Sequence, residues 1–283
     1  MTAQRTNAGS LIRHAPLPIA SRNNPRVKAI RDLRQRKQRE RSGLFFVDGI
    51  QLVAAAIQLG AEIETLVIAP DALTSRFARQ LLREQRERGV ECLEVTAEVF
   101  ESLAAKEAAQ GIGAVVRQRW QPLARASPAD GCWVALEAVH YPGNLGTILR
   151  TGDAVGGVGA ILLGHTTDPY DPAAVRASLG AVFAQRLVRA SLAELADWKR
   201  RHGCTIVGTS PAAVIDYQTV AYRPPLVLLM GSEPSGLSPA GLALCDVLVT
   251  IPMVGHGDSL NLSVAASVML YEIFNQRRAA DEI

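Results

Sequence analysis

The chain contains few of the residues on which metal sites and disulfide frameworks depend. Among its 283 residues there are four cysteines and five histidines, and no two cysteines form a C-x-x-C pair. This scarcity argues against a zinc site, a disulfide scaffold and histidine-rich metal chemistry, so we expect reduced thiols and no bound metal. The four cysteines are Cys92, Cys132, Cys204 and Cys245.

Long apolar runs are also missing. No stretch approaches the roughly 18 apolar residues that span a bilayer, and the first residues lead into no apolar core of a secretory signal. Hydrophobic residues nevertheless make up 48% of the chain and charged residues 20%, which favours a sizeable core over disorder. We therefore expect a cytoplasmic protein without a membrane partner, long enough for two domains.

Two common nucleotide-binding fingerprints fail. Gly231 and Gly236 have the spacing of a phosphate-binding loop, but Leu237-Ser238 stands where Lys-Ser or Lys-Thr is needed. The glycine cluster at 156–159 follows a predicted helix and leads into a predicted strand, which is the reverse of the dinucleotide-binding order. These failures argue against a P-loop nucleotidase and a dehydrogenase.

Positive charge is concentrated in one segment. Residues 22–41 hold nine Lys or Arg against Asp32 and Glu40, a local charge of +7 in a chain whose total is +3. Such a block predicts a polyanionic partner, RNA or DNA first, although a solvated helix face would look the same. The residues that we expect to contact nucleic acid are Arg22, Arg26, Arg31, Arg34 and Lys37.

The order of predicted elements indicates two α/β domains. We interpret residues 1–20 as a flexible arm and 21–119 as a first small domain, which opens with one helix over 24–41. Residues 120–130 contain Pro122 and Pro128 and are the best linker candidate. Residues 131–283 form a second α/β domain, whose apolar strands at 132–139, 160–163, 205–208, 226–230 and 247–251 predict a largely parallel, buried sheet.

Three segments of this second domain carry polar residues at strand ends, where ligands bind in open α/β sheets. The first is 141–150, with Asn144 as a predicted N-cap and Arg150 inside the following helix. The second is 228–238, in which an apolar strand delivers Gly231 and Glu233 into a loop. The third is 251–272, a glycine loop followed by a helix that is capped by Ser259 or Asn261 and is apolar on nearly every face. Taken one at a time, Asn144 is more typical of an ordinary cap and Arg150 of a surface arginine.

Taken together and in this order, the segments resemble the three motifs of the SpoU (TrmH) family of RNA ribose 2′-O-methyltransferases. Motif one resembles Asn144-x-Gly146-x-x-x-Arg150, and motif two resembles Gly231-Ser232-Glu233-x-x-Gly236-Leu237-Ser238, with serine where the family usually has asparagine. Motif three resembles Ile251-Pro252-Met253 followed by Ser259-Leu260-Asn261-x-Ser263. The resemblance covers about residues 131–278, and residues 22–60 are similar to the N-terminal RNA-binding domain common in the family.

The resemblance implies a fold, a cofactor and a reaction. The fold is the trefoil-knotted α/β fold of the SPOUT class, with a smaller N-terminal α/β RNA-binding domain. The methyl donor is S-adenosylmethionine, and the acceptor is a ribose 2′-hydroxyl, with 23S ribosomal RNA favoured. Transfer RNA as the substrate, and a non-catalytic RNA-binding protein of the same fold, are the alternatives. The residues implied to bind the cofactor are Thr209, Gly231, Ile251, Met253 and Leu260.

The family assigns activation of the hydroxyl to the arginine of motif one, here Arg150. Because a guanidinium stays protonated at neutral pH, stabilising the developing alkoxide or the adjacent phosphate is the more conservative role than removing a proton. The residues implied to orient this chemistry are Asn144, Glu233, Ser259 and Asn261. A two-fold homodimer through the C-terminal helix, over 260–277, is the family norm and fits the apolar character of that helix.

Overall fold

The structure is a computed structural model that describes residues 17–104 and 110–280. Most of the predicted arm, 1–16, lies outside the described residues. Its last residues pair with the first sheet, because the Ile19 amide donates to the Glu94 carbonyl at 2.9 Å and the Ile19 carbonyl accepts from the Thr96 amide at 3.0 Å. The predicted arm is therefore bonded to the first sheet at Ile19.

The first sheet has four strands in the order β1-β4-β2-β3. Strand β4 is antiparallel to both of its neighbours, whereas β2 and β3 are parallel. Five helices accompany it within residues 17–104. The strands are β1 (Leu44–Asp48), β2 (Ile63–Ile68), β3 (Cys92–Glu94) and β4 (Ile112–Arg117), and the helices are α1 (Pro25–Asp32), α2 (Arg36–Ser42), α3 (Ile50–Gln58), α4 (Arg76–Glu87) and α5 (Ala97–Leu103).

The single helix predicted over 24–41 is wrong, since α1 ends at Asp32 and α2 begins at Arg36. Helix ends leave carbonyl groups without helical partners. Here the buried Arg39 guanidinium donates to the carbonyls of Leu33 at 2.9 Å and Arg34 at 2.8 Å. A side chain from α2 thus satisfies the turn that divides the two helices.

The second sheet has seven strands, all parallel, in the order β7-β6-β5-β10-β8-β11-β9. The predicted parallel, buried sheet is confirmed, although β7 and β9 were not predicted from the sequence. The strands are β5 (Trp133–Glu137), β6 (Gly159–Leu163), β7 (Arg186–Ala190), β8 (Thr205–Thr209), β9 (Ile215–Asp216), β10 (Leu226–Met230) and β11 (Val247–Thr250). The helices are α6 (Pro142–Ala154), α7 (Pro172–Ser178), α8 (Ala181–Ala184), α9 (Leu192–His202), α10 (Pro239–Leu244) and α11 (Leu262–Ala279).

The junction between the two sheets is buried and tightly bonded. Arg39 Nε donates to Asp168 Oδ2 at 2.7 Å, and both side chains are at least 98% buried. Tyr170 packs on Phe45 with ring centroids 4.6 Å apart, and its hydroxyl donates to the Arg119 carbonyl at 2.7 Å. One apolar cluster contains residues from both sheets. The loop that precedes α7 therefore fastens the N-terminal region to the second sheet.

The predicted linker, 120–130, is packed against the second sheet. The Gln121 amide donates to the Leu187 carbonyl at 2.9 Å, which places Gln121 beside β7. Two short 3₁₀ turns follow, at 123–125 and 128–130. The segment connects the two regions without behaving as a free tether.

Candidate active site

A cleft of about 670 Å³ opens at the carboxyl ends of β8, β10 and β11. The loops that follow these strands form its walls, as expected for an open parallel sheet. The five residues predicted to bind the cofactor all line it: Thr209, Gly231, Ile251, Met253 and Leu260. Of the residues predicted to orient the chemistry, four line it as well: Asn144, Glu233, Ser259 and Asn261.

Part of the cleft floor is bare backbone. A Cβ built at Gly231 would overlap the backbone carbonyl group of Gly236 and the amide nitrogen of Leu237, so only glycine fits there. The Ser232 and Gly236 backbones bond to each other in both directions at 2.9 Å and close the turn. Exposed main-chain groups in such a loop can hydrogen-bond a ligand while apolar neighbours wall it.

The serine that replaces the family's usual asparagine supports this same turn. Ser232 Oγ accepts from the Ser235 amide at 3.3 Å and lies 3.4 Å from the Gly236 carbonyl. A short hydroxyl side chain commonly bonds to the backbone of a turn in this way. Ser232 therefore takes part in the hydrogen bonds that close the turn of motif two.

One chain of hydrogen bonds joins the three motifs. Asn261 Nδ2 donates to Asn144 Oδ1 at 3.2 Å, and Asn144 Nδ2 donates to Glu233 Oε1 at 2.9 Å. Each residue comes from a different segment, so the chain fixes the relative positions of three loops. Because its members are only partly buried, these side chains also present polar atoms at the mouth of the cleft.

Glu233 accepts two further hydrogen bonds, from the backbone amides of His140 at 3.0 Å and Tyr141 at 3.3 Å. Burial alone would raise the pKa of Glu233. The amide of His140, the side chain of Asn144 and the amide of Tyr141 outweigh this effect and hold the pKa of the carboxyl below its usual range. Glu233 is therefore an ionised acceptor that anchors the start of α6.

The helix caps differ from the prediction for motif one and confirm it for motif three. Helix α6 begins at Pro142 after Tyr141, so Asn144 lies inside the first turn and is not the N-cap. Proline at the first helical position has no amide that needs a partner, and the Asn144 side chain, two residues later, bonds to Glu233. Asn261 is the N-cap of α11, and its Oδ1 accepts from the Ser263 amide at 2.9 Å.

Arg150 is not among the residues that line the cleft. It is exposed and lies six residues after Asn144 on α6, so the two side chains leave the helix in directions about 120° apart. It makes no hydrogen bond or ion pair with the described residues. The structure thus separates the arginine of motif one from the polar groups with which the sequence analysis placed it.

The basic block at 22–41 is largely committed to contacts within the chain. Arg22 pairs with Glu98 at 3.0 Å and Arg26 with Glu91 at 2.6 Å. Arg34 donates to the carbonyls of residues 102–104 at the end of α5, and Arg31 to Ser102 Oγ at 3.2 Å. Lys37 is exposed, and its side chain has no such bond in the described part of the chain. The same holds for Lys28 and Arg41. The predicted RNA contacts of the five residues remain predictions.

The sequence analysis missed two polar residues beside the cleft. Glu137, at the end of β5, is 92% buried and accepts from Ser238 Oγ at 2.6 Å and the Ser238 amide at 3.0 Å. A lone acid at the end of an otherwise apolar strand was the available signal. Tyr141 is 62% exposed at the cleft mouth, and its place directly before motif one pointed to it.

Residues 17–104 and 110–280 contain no group of three or more His, Cys, Asp or Glu side chains placed to hold a metal ion. No helix among them is both long and apolar enough to cross a membrane.

Comparison with known proteins accounts for both regions. Residues 131–271 match the model of the SpoU rRNA Methylase family, and residues 24–114 match the MRM3-like substrate binding domain. The 23S rRNA (uridine(2479)-2′-O)-methyltransferase of Streptomyces viridochromogenes is 37% identical over 253 residues, which are 87% of either chain. The 23S rRNA (guanosine(2553)-2′-O)-methyltransferase RlmP of Bacillus subtilis is 28% identical and covers 90% of this chain and 98% of its own.

Solved structures agree with these relatives. The crystal structure of an AdoMet-bound rRNA methyltransferase from Sinorhizobium meliloti superimposes with a TM-score of 0.84 at 39% identity, covering 93% of this chain and 98% of the other. The α/β fold with an N-terminal substrate-binding domain and a SPOUT methyltransferase domain is therefore confirmed. With the family's three motifs joined at one cleft, and with relatives of this identity over most of its length, the chain belongs to the SpoU family of RNA methyltransferases.

Proposed function

We propose that this protein transfers a methyl group from S-adenosylmethionine to a ribose 2′-hydroxyl of 23S ribosomal RNA. The observation that carries the proposal is the hydrogen-bond chain through Glu233, Asn144 and Asn261, which unites the three motifs around one cleft. The rRNA 2′-O-methyltransferases among the relatives support the substrate class. Such an enzyme belongs in the cytoplasm, where ribosomal RNA is modified in bacteria.

The residues of the cleft fit the methyl donor. The bare backbone at Gly231 offers main-chain hydrogen bonds, and Ile251, Met253 and Leu260 offer apolar walls for an adenine ring. When bound, S-adenosylmethionine supplies an electrophilic methyl group on a sulfonium, which requires no metal. Thr209 completes the wall, and its hydroxyl is oriented by a 3.3 Å contact with the sulfur of Met230.

Within this scheme Glu233 positions residues and does not react. Its carboxylate already accepts three hydrogen bonds, from two backbone amides and from Asn144. Asn261 holds Asn144 from the other side while it caps α11. The exposed loop over 252–260 brings Ser259 to the rim of the cleft, where its hydroxyl can bond the entering ribose or phosphate.

Arg150 stabilises the developing 2′-alkoxide or the neighbouring phosphate, and we propose that it does so in the cleft of a second copy of the chain. Its own cleft does not contain it. It lies beside Thr151, whose hydroxyl meets that of Ser267 at 2.9 Å, so α6 and α11 pack against each other. Val264 and Tyr271, seven residues apart on α11, are each 48% exposed. Burying these apolar groups against a two-fold copy gives a homodimer through α11.

We retain the proposed division of labour between residues 21–119 and 131–283, joined by 120–130. The N-terminal domain supplies affinity for RNA, and the second domain supplies the chemistry. The match of residues 24–114 to a substrate binding domain supports this division.

Methyl transfer from tritiated S-adenosylmethionine into separated RNA fractions tests the proposal. We expect label in 23S ribosomal RNA, and alkaline hydrolysis should leave the labelled dinucleotide intact, because a 2′-O-methyl group blocks cleavage. Label in transfer RNA would mean that the substrate is transfer RNA and not 23S ribosomal RNA. Tight cofactor binding without label in any RNA would indicate a non-catalytic RNA-binding protein.

A further inference from the structure

A second pocket, of about 330 Å³, opens between the N-terminal region and the second sheet. Helix α2 contributes Arg36 and Glu40, and the ends of β6 and β7 and the start of α9 contribute the rest. None of its lining residues belongs to the cleft or to the three motifs. It is called the junction pocket below, and its other lining residues are Leu162, Gly164, Thr166, Thr167, Arg189, Ala190 and Glu194.

The junction pocket shares an edge of the sheet with the cleft. All seven strands are parallel, so the carboxyl ends of β6 and β7 face the same way as those of β8, β10 and β11. Only β5 stands between β6 and β10, and adjacent strands are about 4.8 Å apart, so β6 and β10 are separated by about 10 Å. A single RNA strand of a few nucleotides can therefore contact both places at once.

A planar cation lies at the wall of this pocket. The Arg189 guanidinium carbon lies 3.8 Å from the centroid of the Trp120 ring. The indole is itself fixed, because its Nε1 donates to Gln118 Oε1 at 3.0 Å and its edge meets Tyr170. Arg189 is exposed and makes no hydrogen bond or ion pair with the described residues. One face of the guanidinium is thus stacked on the indole, while its N–H groups make no hydrogen bond with the described residues and its charge contributes to lowering the pKa of Glu40, after the larger effect of Arg36.

The charges in the pocket balance. Arg36 is held by Glu40 Oε1 and by the Thr166 carbonyl, both at 2.8 Å. Glu194 accepts from the amide and the hydroxyl of Ser191. Two carboxylates beside two guanidiniums give no net field for an anion, so a bare phosphate is poorly matched. A nucleobase has donors, acceptors and a flat face, and each of these finds a partner here.

We propose that the junction pocket binds a nucleobase of the RNA, a few nucleotides from the methylated ribose, with that base stacked on the guanidinium of Arg189. The proposal rests on the function proposed above for its choice of RNA. Both regions of the chain build the pocket, so a base bound there sets the register of the strand that enters the cleft.

Fluorescence of Trp120 gives a direct test. It is half-buried, whereas Trp133 and Trp198 are fully buried, and the cleft contains no tryptophan. We would titrate the wild type with AMP, GMP, CMP and UMP, and with ribose 5-phosphate as the probe that lacks a base. Quenching by at least one nucleotide and not by ribose 5-phosphate supports the proposal. Equal quenching by ribose 5-phosphate, or no quenching by any probe, overturns it.

Arg189→Lys separates stacking from charge. Lysine keeps the positive charge but loses the plane, so affinity for a 23S ribosomal RNA transcript should fall about tenfold with the log–log salt slope unchanged. The control is Arg200→Ala, at an arginine of α9 whose side chain is 75% exposed. It should change neither the RNA affinity nor the salt slope. Unaltered RNA affinity in Arg189→Lys contradicts the proposal. If nucleotides quench the wild type but it methylates no RNA, the proposed function is contradicted and the proposed base site is still supported.

Discussion

Three polar side chains at the cleft are partly exposed and hold its loops together: Glu233, Asn144 and Asn261. In their hydrogen bonds at most one of the two partners is charged. At the domain junction, Arg39 and Asp168 form an ion pair with 1% and 2% of their side chains exposed. The first arrangement leaves atoms accessible to a ligand. The second withdraws both charges from water, and the ion pair joins two parts of the chain.

This difference decides what a substitution does. A partly solvated hydrogen bond contributes about 0.5–1.5 kcal/mol, because water replaces the lost partner. A charge left alone in a buried site has no such replacement and costs several kcal/mol. Changes at the junction should therefore appear in stability, and changes at the cleft in the reaction.

The largest effect is expected at the junction. Arg39→Met leaves the Asp168 carboxylate buried without its partner and should lower the free energy of unfolding by about 3–5 kcal/mol in urea titrations. Replacing both, Arg39→Met with Asp168→Leu, removes the unpaired charge and should restore part of that loss. The remainder persists because the carbonyls of Leu33 and Arg34 and the amide of Tyr170 lose their partners.

Arg22→Met is the matched control, since the Arg22–Glu98 pair is 53% and 72% exposed. It should cost less than 1 kcal/mol. Equal losses for Arg39→Met and Arg22→Met would remove the contrast between buried and exposed pairs.

Arg150→Ala comes next and should act on the reaction alone. Methyl transfer should fall on the order of 10²–10³-fold while cofactor affinity and unfolding stay near wild type. Arg150→Lys should recover part of the activity with a flat pH profile if the residue only stabilises charge, and activity that rises with pH if it must lose a proton.

Mixed dimers test whether Arg150 acts across copies. Gly231→Ala should distort the loop that lines the cleft and inactivate that site, because the added Cβ overlaps the backbone at Gly236. Co-expression of Arg150→Ala with Gly231→Ala should restore activity if each site takes its arginine from the other chain. Light scattering should give a dimer mass that Val264→Glu lowers, and a wild-type monomer at micromolar concentration would contradict the shared site.

The sequence identified the cleft far better than the junction. Motif residues such as Gly231 and Asn261 occur in runs whose spacing and order carry the family's signature, so their convergence was expected. Arg39 had no such signal, because its partner Asp168 is 129 positions away and nothing local distinguishes it from Lys37. The Arg39 side chain also bonds the turn that divides the predicted helix over 24–41. Strand β7 was missed because its two arginines, Arg186 and Arg189, resemble an exposed segment.

The pH dependence of Glu233 sharpens the comparison at the cleft. The folded-state pKa of this carboxyl is depressed, so its stabilising effect is complete above the unfolded value, about 4.5. That effect is lost as the pH falls through the folded value. Wild type should exceed Glu233→Gln in unfolding free energy by about 1 kcal/mol at pH 7, with the gap closing below pH ~4.5. A gap that is constant down to pH 3 would contradict the assigned role.

The smallest effect concerns the basic block and separates its bound arginines from its free cations. The side chains of Lys28, Lys37 and Arg41 are exposed and make no hydrogen bond or ion pair in residues 17–104 or 110–280. The side chains of Arg22, Arg31 and Arg34 bond within the N-terminal region. Each lost phosphate contact should reduce the log–log salt slope of RNA binding by about 0.7–0.9. The triple alanine variant of the first set should therefore flatten the slope by about 2, and that of the second set by less than 1, with cofactor affinity unchanged in both. The reverse order would mean that the internal bonds of the arginines open when RNA binds, which would make the block part of the substrate surface as its sequence alone suggests.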